Sequence, residues 1–403
     1  MINIAVLGYG TVGSGVVKVL QTNQKSIDKR VGDQVRVKYV LDLRDFEGDP
    51  IQEKIVHDYD VILKDDDIKV VVEVMGGVEP AYTFVKSALE HGKSVCTSNK
   101  ELVARHGAEL LQIAKDHAIN FLFEASVGGG IPIIRPLSTS LTSEEITDIK
   151  GILNGTTNYM LSKMSSEDAD YETVLKDAQE KGYAERNPEA DVEGYDACRK
   201  IAILSSLAHG RQVDFEDIPT EGITRITKSD ISYAKKLEAG IKLIGSSKKR
   251  GSDIYASVAP MMLKNTHPLM GVNDVFNAIF VTGNMLGDVM FYGAGAGSLP
   301  TASAVVSDVV EAAKNLGRNV MEGYSGEKLT LADSKQAQYQ FFVRIKGAGK
   351  EEEVKKTFGE VTFVSIPQEP DETAFLTGYM KECDFEAKIS LIGEIVNRIR
   401  AEF

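Results

Sequence analysis

The sequence predicts an α/β protein: a doubly wound parallel sheet at the N-terminus, a mixed α+β middle and a small α/β module at the C-terminus. Three observations carry this. Strand and helix patterns alternate from residue 1 to about 125, as in parallel sheets with helices on both faces. The first strand, Ile2 to Leu7, breaks into glycines at Gly8, Gly10 and Gly13, and an apolar helical pattern follows at once. The texture then changes near Val127, where VGGGIPIIRPL reads as loop.

The glycines come first in the chain and set the chemistry. Glycine lets the backbone turn tightly and approach a pyrophosphate, whose charge then sits on the helix N-terminus. A bare GxGxxG is weak, but here the strand before it and the helix after it are both present. The stretch Gly8, Tyr9, Gly10, Thr11, Val12, Gly13 is therefore expected to bind a dinucleotide in a Rossmann domain. Further strands read at 35–43, 69–75, 94–98 and 120–124, with helices at Ala81–His91 and Glu101–His117. Ligands bind at the carboxyl ends of such strands, which here offer Asp42–Arg44, Met75–Gly77 and Ser98–Lys100.

From 144 to about 320, strands (ITDIKGIL, DIYASVAPMML, NAIFVTG) mix with long helices, the pattern of an α+β substrate domain. Near its end GAGAGSLPTASAVVSDVVEAAKNLG is a glycine loop and helix placed to return to the first domain. The expected organisation is a dinucleotide domain over 1–126, completed by a helix at about 300–318, a substrate and dimerisation domain over 127–299, and a linker over 321–335. The tail, 336–403, reads strand, helix, strand, strand, helix, which suggests a ferredoxin-like module. Its last helix is expected across FEAKISLIGEIVNRIRAEF.

Composition excludes several classes. The chain has 403 residues, enough for two or three cores, and a formal net charge of −13, the wrong sign for a nucleic-acid partner. No apolar run approaches the roughly 18 residues that span a bilayer, and no basic leader precedes the first strand. Three distant cysteines, Cys96, Cys198 and Cys383, form no CxxC pair and fit a reducing cytoplasm. A small-molecule substrate is expected, with no nucleic acid and no membrane.

The densest polar cluster is GYAERNPEADVEGYDACRK, residues 182–200, expected to be helical from Asp191. Asp196 and Lys200 are then four apart on one face. They could be a surface ion pair, but Ala197, Ile201 and Ala202 beside them make the helix buried, and buried lysines are rare unless paired or functional. A lysine desolvated beside a carboxylate can exchange a proton with a substrate hydroxyl. Lys100 stands just past the fifth strand, either as an ordinary first-turn residue or aimed at a ligand. In GILNGTTNYML, Asn154 and Thr157 suit helix capping, while the free N–H groups around Gly155 and Thr156 could equally hold a polar substrate. FEASVGGGIPIIRP offers Glu124 and unpaired carbonyls of the kind hard cations favour, although most glycine loops bind no metal. His267, a lone histidine before proline, reads as structural.

Taken together, GYGTVGSGV, EVMGGVEPA, GKSVCTSNKELVA, FEASVGGGIPIIRPL, GILNGTTNYML, GYAERNPEADVEGYDACRKIAIL and YGAGAGSLPTASAVVSD resemble homoserine dehydrogenase, in that family's order and over about 320 residues. The resemblance implies reversible oxidation of L-homoserine to L-aspartate 4-semialdehyde with NAD or NADP, in the branch leading to threonine and methionine. It makes Lys200 the general acid/base and gives Asp196 the task of contacting substrate and orienting that lysine. Glu185, with Gly155 and Thr156, would meet the substrate, and Lys100 would lie near the nicotinamide. Gly8 to Gly13, Gly76, Gly182 and Gly297 would approach the dinucleotide. Glu124, Val127, Gly129 and Ile131 match the family's monovalent cation site, for Na⁺. A homodimer is implied, and the C-terminal module is the candidate element for any assembly beyond it.

Two departures stand out. Arg186-Asn187 follow Glu185 where the family has Ala-Asp. The tail occupies the place of an ACT domain, but KGAGKEEEV replaces the ligand turn, so amino-acid feedback is not expected there. Cofactor choice turns on VLDLRDF: Asp42 suits the adenine ribose hydroxyls, whereas Arg44 suits a 2′-phosphate, and the reach of Arg44 leans the reading to NADP. Two other functions stay open on residues alone: a dehydrogenase acting on an amino group, and a dinucleotide-sensing regulator without chemistry.

Overall fold

The computed structural model describes residues 1–403. Six strands form the first sheet: β1 (Ile2–Leu7), β2 (Val35–Leu41), β3 (Ile55–Val56), β4 (Ile68–Glu73), β5 (Ser94–Thr97) and β6 (Phe121–Leu122). Their order is β3-β2-β1-β4-β5-β6, all parallel. The central strands are buried almost end to end, because helices cover both faces. Chain order reverses between β1 and β4, so the crevice beyond their carboxyl ends is where a ligand fits.

Glycine is required there by space. A Cβ on Gly13 would lie 1.9 Å from the Gly8 carbonyl oxygen, so the helix Thr11–Thr22 can approach β1 only without one. Gly15 lets the helix Ser298–Lys314 lie across it, with a virtual Cβ 3.0 Å from Ala302. That second helix begins close to the expected residue 300 but ends at Lys314, short of the expected 318, and returns to the first sheet. It is pinned by Ser298 Oγ donating to the Thr11 carbonyl at 2.6 Å.

The second sheet is built from β7 (Ile146–Ile152), β9 (Ala239–Arg250), β10 (Asp253–Lys264), β11 (Phe276–Gly283), β12 (Gly287–Ala294), β14 (Gln338–Lys346), β15 (Val361–Val364), β16 (Glu372–Thr377) and β18 (Ile395–Glu402), while β8 (Arg211–Gln212) pairs separately with β13 (Ser325–Lys328). Its order is β12-β11-β7-β9-β10-β18-β14-β16-β15, with β17 (Met380–Lys381) alongside β14. The C-terminal strands thus extend the substrate-domain sheet. The seam is the parallel pair β10–β18, and a separate apolar core around Phe341, Phe375 and Phe385 lies under the tail's helices.

The structure corrects two readings. The tail does not end in one helix: Glu382–Ile389 is helical, Gly393 turns the chain at φ +100°, and β18 follows. IVNRIRAE lies between β10 and β14 and pairs with both, so strand pairing overrides its local helical texture. The helix expected from Asp191 is broken at Gly194 (φ +84°) into Glu189–Val192 and Tyr195–His209. The stretch 321–335 is tied down at Met321, Tyr324 and Leu329, which are buried, while the residues between them are largely exposed. Tyr324 is buried against Gly107, which has no room for a Cβ, and Ser325 to Lys328 form β13. The long strands β9 and β12 and the short strands β3, β8 and β13 are absent from the sequence reading. His267 is a cap, its Nδ1 accepting from the Leu269 amide at 3.1 Å.

Candidate active site

A cavity of about 520 Å³ opens where the carboxyl ends of the first sheet face the second domain. Val12 of the glycine loop and Ser98 and Lys100 after β5 line one side, with Gly182, Gly297 and Thr301 nearby. Gly155, Thr156, Asp191, Asp196 and Lys200 line the other. Residues up to 289 positions apart in the chain, Val12 and Thr301, therefore share one space.

Its floor is a charge cluster. The helix Tyr195–His209 presents Asp196 and Lys200 on one turn, and both are buried. Lys200 Nζ donates to Asp196 Oδ2 at 2.7 Å and to the Leu153 carbonyl at 2.7 Å. Lys100 reaches the other oxygen of the same carboxylate, with Nζ 2.6 Å from Asp196 Oδ1. It does so from the first residue of the helix Lys100–Asp116, which Asn99 caps by accepting from the Leu102 amide. One carboxylate thus holds two lysines.

Their proton affinities follow from this. Burial pushes the Lys200 ammonium down, Asp196 pulls it back up, and the Lys100 charge lowers it again; burial prevails. Burial also acts on Lys100, but the Asp196 charge outweighs it and leaves that ammonium raised. Burial alone would raise Asp196, yet Lys200 and Lys100 hold its carboxyl well below the usual carboxylate range. Asp191, which the sequence reading did not single out, is raised by burial and by Asp196 despite a hydrogen bond from Asn154. Its place five residues before Asp196 in the quoted cluster was the available signal.

A cluster of this kind inside a dinucleotide-type cleft has close relatives. Residues 132–310 match the family model of homoserine dehydrogenase, and residues 8–124 match that of the homoserine dehydrogenase NAD binding domain. The chain belongs to the homoserine dehydrogenase family. The homoserine dehydrogenase of Bacillus subtilis is 42% identical, covering 100% of this chain and 98% of its own length. That of Helicobacter pylori is 43% identical over 85% of this chain and 81% of its own. The crystal structure of a homoserine dehydrogenase from Thiobacillus denitrificans superposes with a TM-score of 0.92 at 33% identity, covering 100% of this chain and 98% of the other. A hyperthermophilic archaeal homoserine dehydrogenase in complex with NADPH gives 0.66 at 28% identity, over 78% of this chain and 99% of its own.

In this family member the other candidate residues fall as follows. Gly8 (φ +96°) and Gly76 (φ +82°) take backbone conformations suited to glycine. Asp42 lies just past β2 and its four acceptor positions are filled. Oδ2 accepts from the Tyr9 amide at 2.8 Å and from Arg44 Nη2 at 3.0 Å, and Oδ1 accepts from the amide and Nε of Arg44, both at 3.0 Å. Arg44 itself stays exposed, its guanidinium 5.1 Å from the centre of the Phe46 ring. Glu185 is exposed on the loop after Lys181 and does not line the cavity.

Glu124 is buried and its carboxylate is committed to backbone amides, accepting from Ile133 at 2.5 Å, Ile134 at 2.8 Å and Arg135 at 2.9 Å. The carbonyls of Val127, Gly129 and Ile131 accept no hydrogen bond from the protein. A Cβ on Gly129 would lie 2.3 Å from the Gly295 carbonyl oxygen, so this loop sits directly against the glycine turn before Ser298. No helix in the chain is long and apolar enough to cross a membrane.

Proposed function

We propose that the chain interconverts L-homoserine and L-aspartate 4-semialdehyde with NAD or NADP, with Lys200 as general acid/base. The observation that carries this is the Asp196 carboxylate shared by Lys100 and Lys200 at the floor of a cleft opened by the glycine loop. Bound nicotinamide dinucleotide supplies the acceptor or donor of hydride. The protein supplies the rest. In the oxidative direction the substrate hydroxyl gives its proton to Lys200 Nζ while the carbinol C–H leaves as hydride. Burial favours the neutral lysine that accepts this proton, and Asp196 keeps the amine in place. The hydrogen bond from Nζ to the Leu153 carbonyl sets its direction.

The free N–H groups around Gly155 and Thr156 and the carboxylate of Asp191 are assigned to the polar end of the substrate, with Glu185 contributing from the rim. Gly8 to Gly13, Gly76, Gly182 and Gly297 are assigned to the dinucleotide. The cation loop fits a hard monovalent ion such as Na⁺ through the carbonyls of Glu124, Val127, Gly129 and Ile131, since the Glu124 side chain is already used. The ion would brace that loop against Gly295. Exchanging Na⁺ for choline at constant ionic strength should lower kcat/KM, and an unchanged value would remove the ion from the reading.

A homodimer is assigned to the face carrying β12. This edge strand exposes Met290 and Tyr292, with Phe276 stacked on Tyr292 at 5.3 Å and Met285 and Leu286 beside them. The opposite sheet edge, β15, is the place for any higher assembly.

Lys200→Ala is the deciding experiment. It should reduce kcat by about 10²–10⁴, the weight of a positioned acid/base, with dinucleotide Kd unchanged. Near wild-type turnover would overturn the assignment, and turnover of aspartate in place of homoserine would move the chain's chemistry to an amino group.

A further inference from the structure

Asn154 lies at the end of β7, buried between the charged floor and the start of the helix Gly155–Glu167. Its side-chain amide is used on both sides. Oδ1 accepts from the Thr157 amide at 2.9 Å and from Thr157 Oγ1 at 3.0 Å. Nδ2 donates to Asp191 Oδ1 at 2.7 Å and to Asp196 Oδ2 at 2.9 Å. Two donors on one side and two acceptors on the other leave only one orientation of the amide. Capping accounts for Oδ1 alone. The two bonds from Nδ2 fall on the two carboxylates of the cavity, which would otherwise repel each other.

We infer that Asn154 is a positioning residue, whose amide ties Asp191 to Asp196 and so holds in place the carboxylate that Lys100 and Lys200 share. This rests on the reading of Lys200 given above. The preceding residue completes the mount, because the Leu153 carbonyl accepts from Lys200 Nζ. Lysine and carboxylate are thereby both anchored to the end of one strand in the interior of the second sheet, between β11 and β9. Asp196 Oδ2 accepts from Asn154 and Lys200 together, so the amide dipole competes with the lysine for the same oxygen. Removing the amide leaves more of that negative charge to Lys200 and strengthens its hold on a proton.

The charged groups facing this point are Lys100 on the helix Lys100–Asp116, Asp191 on Glu189–Val192, and Asp196 and Lys200 on Tyr195–His209. Arg199 turns away toward Glu101 and Phe215. The first turn of the helix Gly155–Glu167 adds no charge.

Aspartate keeps the capping acceptor and has no donor, and serine keeps it with a single short O–H that cannot bridge the two carboxylates, which separates the two roles of Asn154. The test measures kcat, homoserine KM, dinucleotide Kd, Tm and the pH dependence of kcat/KM for homoserine oxidation in wild type, Asn154→Ser, Asn154→Asp and Asn154→Ala. Asn154→Ser should retain a Tm near wild type and lose about 10–100-fold in kcat/KM, the usual scale when a catalytic group loses its support, with Kd unchanged. The rise of kcat/KM with pH should move to higher pH in Asn154→Ser, and further in Asn154→Asp, where a third carboxylate faces Lys200. If Asn154→Ser restores wild-type kcat/KM and pH profile while Asn154→Ala only lowers Tm, Asn154 is a helix cap and the inference falls. Wild-type turnover of homoserine that vanishes in Lys200→Ala would leave the functional reading standing in that case. Wild type inactive on homoserine would sink both. Should Asn154→Asp not fold, the serine variant decides alone.

Discussion

At the scale of single residues, the pairing of Asp196 with Lys200 was legible from i,i+4 spacing and apolar flanks, because helical periodicity is a local property. That Lys100 touches the same carboxylate was not legible, since only the packing of the two domains brings their helices together. Asp42 and Arg44 show the same limit. The two side chains pair with each other, yet both lie beyond the end of β2, where Arg44 keeps an open face. With its acceptors filled, Asp42 is poorly placed to take two ribose hydroxyls as well. Arg44→Ala should therefore raise the NADP⁺ KM about 10–100-fold, the scale of one or two charge-assisted hydrogen bonds, and leave the NAD⁺ KM nearly unchanged. Steady-state kinetics with both cofactors checks this. An unmoved NADP⁺ KM would mean that Arg44 does not read the phosphate.

Among the elements, the helix Ser298–Lys314 joins the two domains, and Asp308 is its buried anchor. Asp308 Oδ2 accepts from the Glu124 amide at 2.8 Å and Oδ1 from Arg135 at 2.6 Å, so one side chain grips both ends of the proposed cation loop. Burial first, then the Glu124 charge, raise its carboxyl to about 7 against the pull of Arg135. A folded-state value above the unfolded one, about 3.9, means that between about pH 4 and 7 the folded chain keeps a proton the unfolded chain has released. Stability from this group then falls as pH rises through that window. Asp308→Asn is neutral throughout. The Tm of the variant relative to wild type should climb between pH 5 and 7.5 in thermal unfolding. A pH-independent difference would mean that Arg135 keeps Asp308 ionised across the range. Glycine positions such as Gly13 were readable because a strand, a turn and a helix met there, but β18 was not. Residues 385–403 carry helical and alternating patterns at once, and the waiting edges of β10 and β14 chose between them.

For the whole molecule, the nine strands from β12 to β15 form one continuous surface ending in two open edges. Open edges invite pairing unless they are covered, and at β12 the neighbouring side chains are apolar. Met290 is 42% and Tyr292 53% exposed, on the same face of the strand. Replacing both by aspartate should convert the proposed dimer to a monomer in analytical ultracentrifugation, since charge on the apolar face assigned to that contact is costly. A mass unchanged by the double substitution would place the dimer contact elsewhere.

By itself the sequence determined the parallel N-terminal sheet, the glycine loop between its first strand and helix, the family and the pairing of Asp196 with Lys200. Each of these is written in short-range spacing, in strand–glycine–helix order or in motifs that stay together along the chain. Only the tertiary structure decided that Lys100 and Lys200 share one carboxylate, that Asn154 ties Asp196 to Asp191, that the Glu124 side chain is consumed by backbone amides, and that the tail ends in a strand. The Glu124 contacts depend on how a glycine loop folds back on itself, and the other three on groups far apart in sequence meeting in the interior, where partners are set by packing, not by neighbours along the chain.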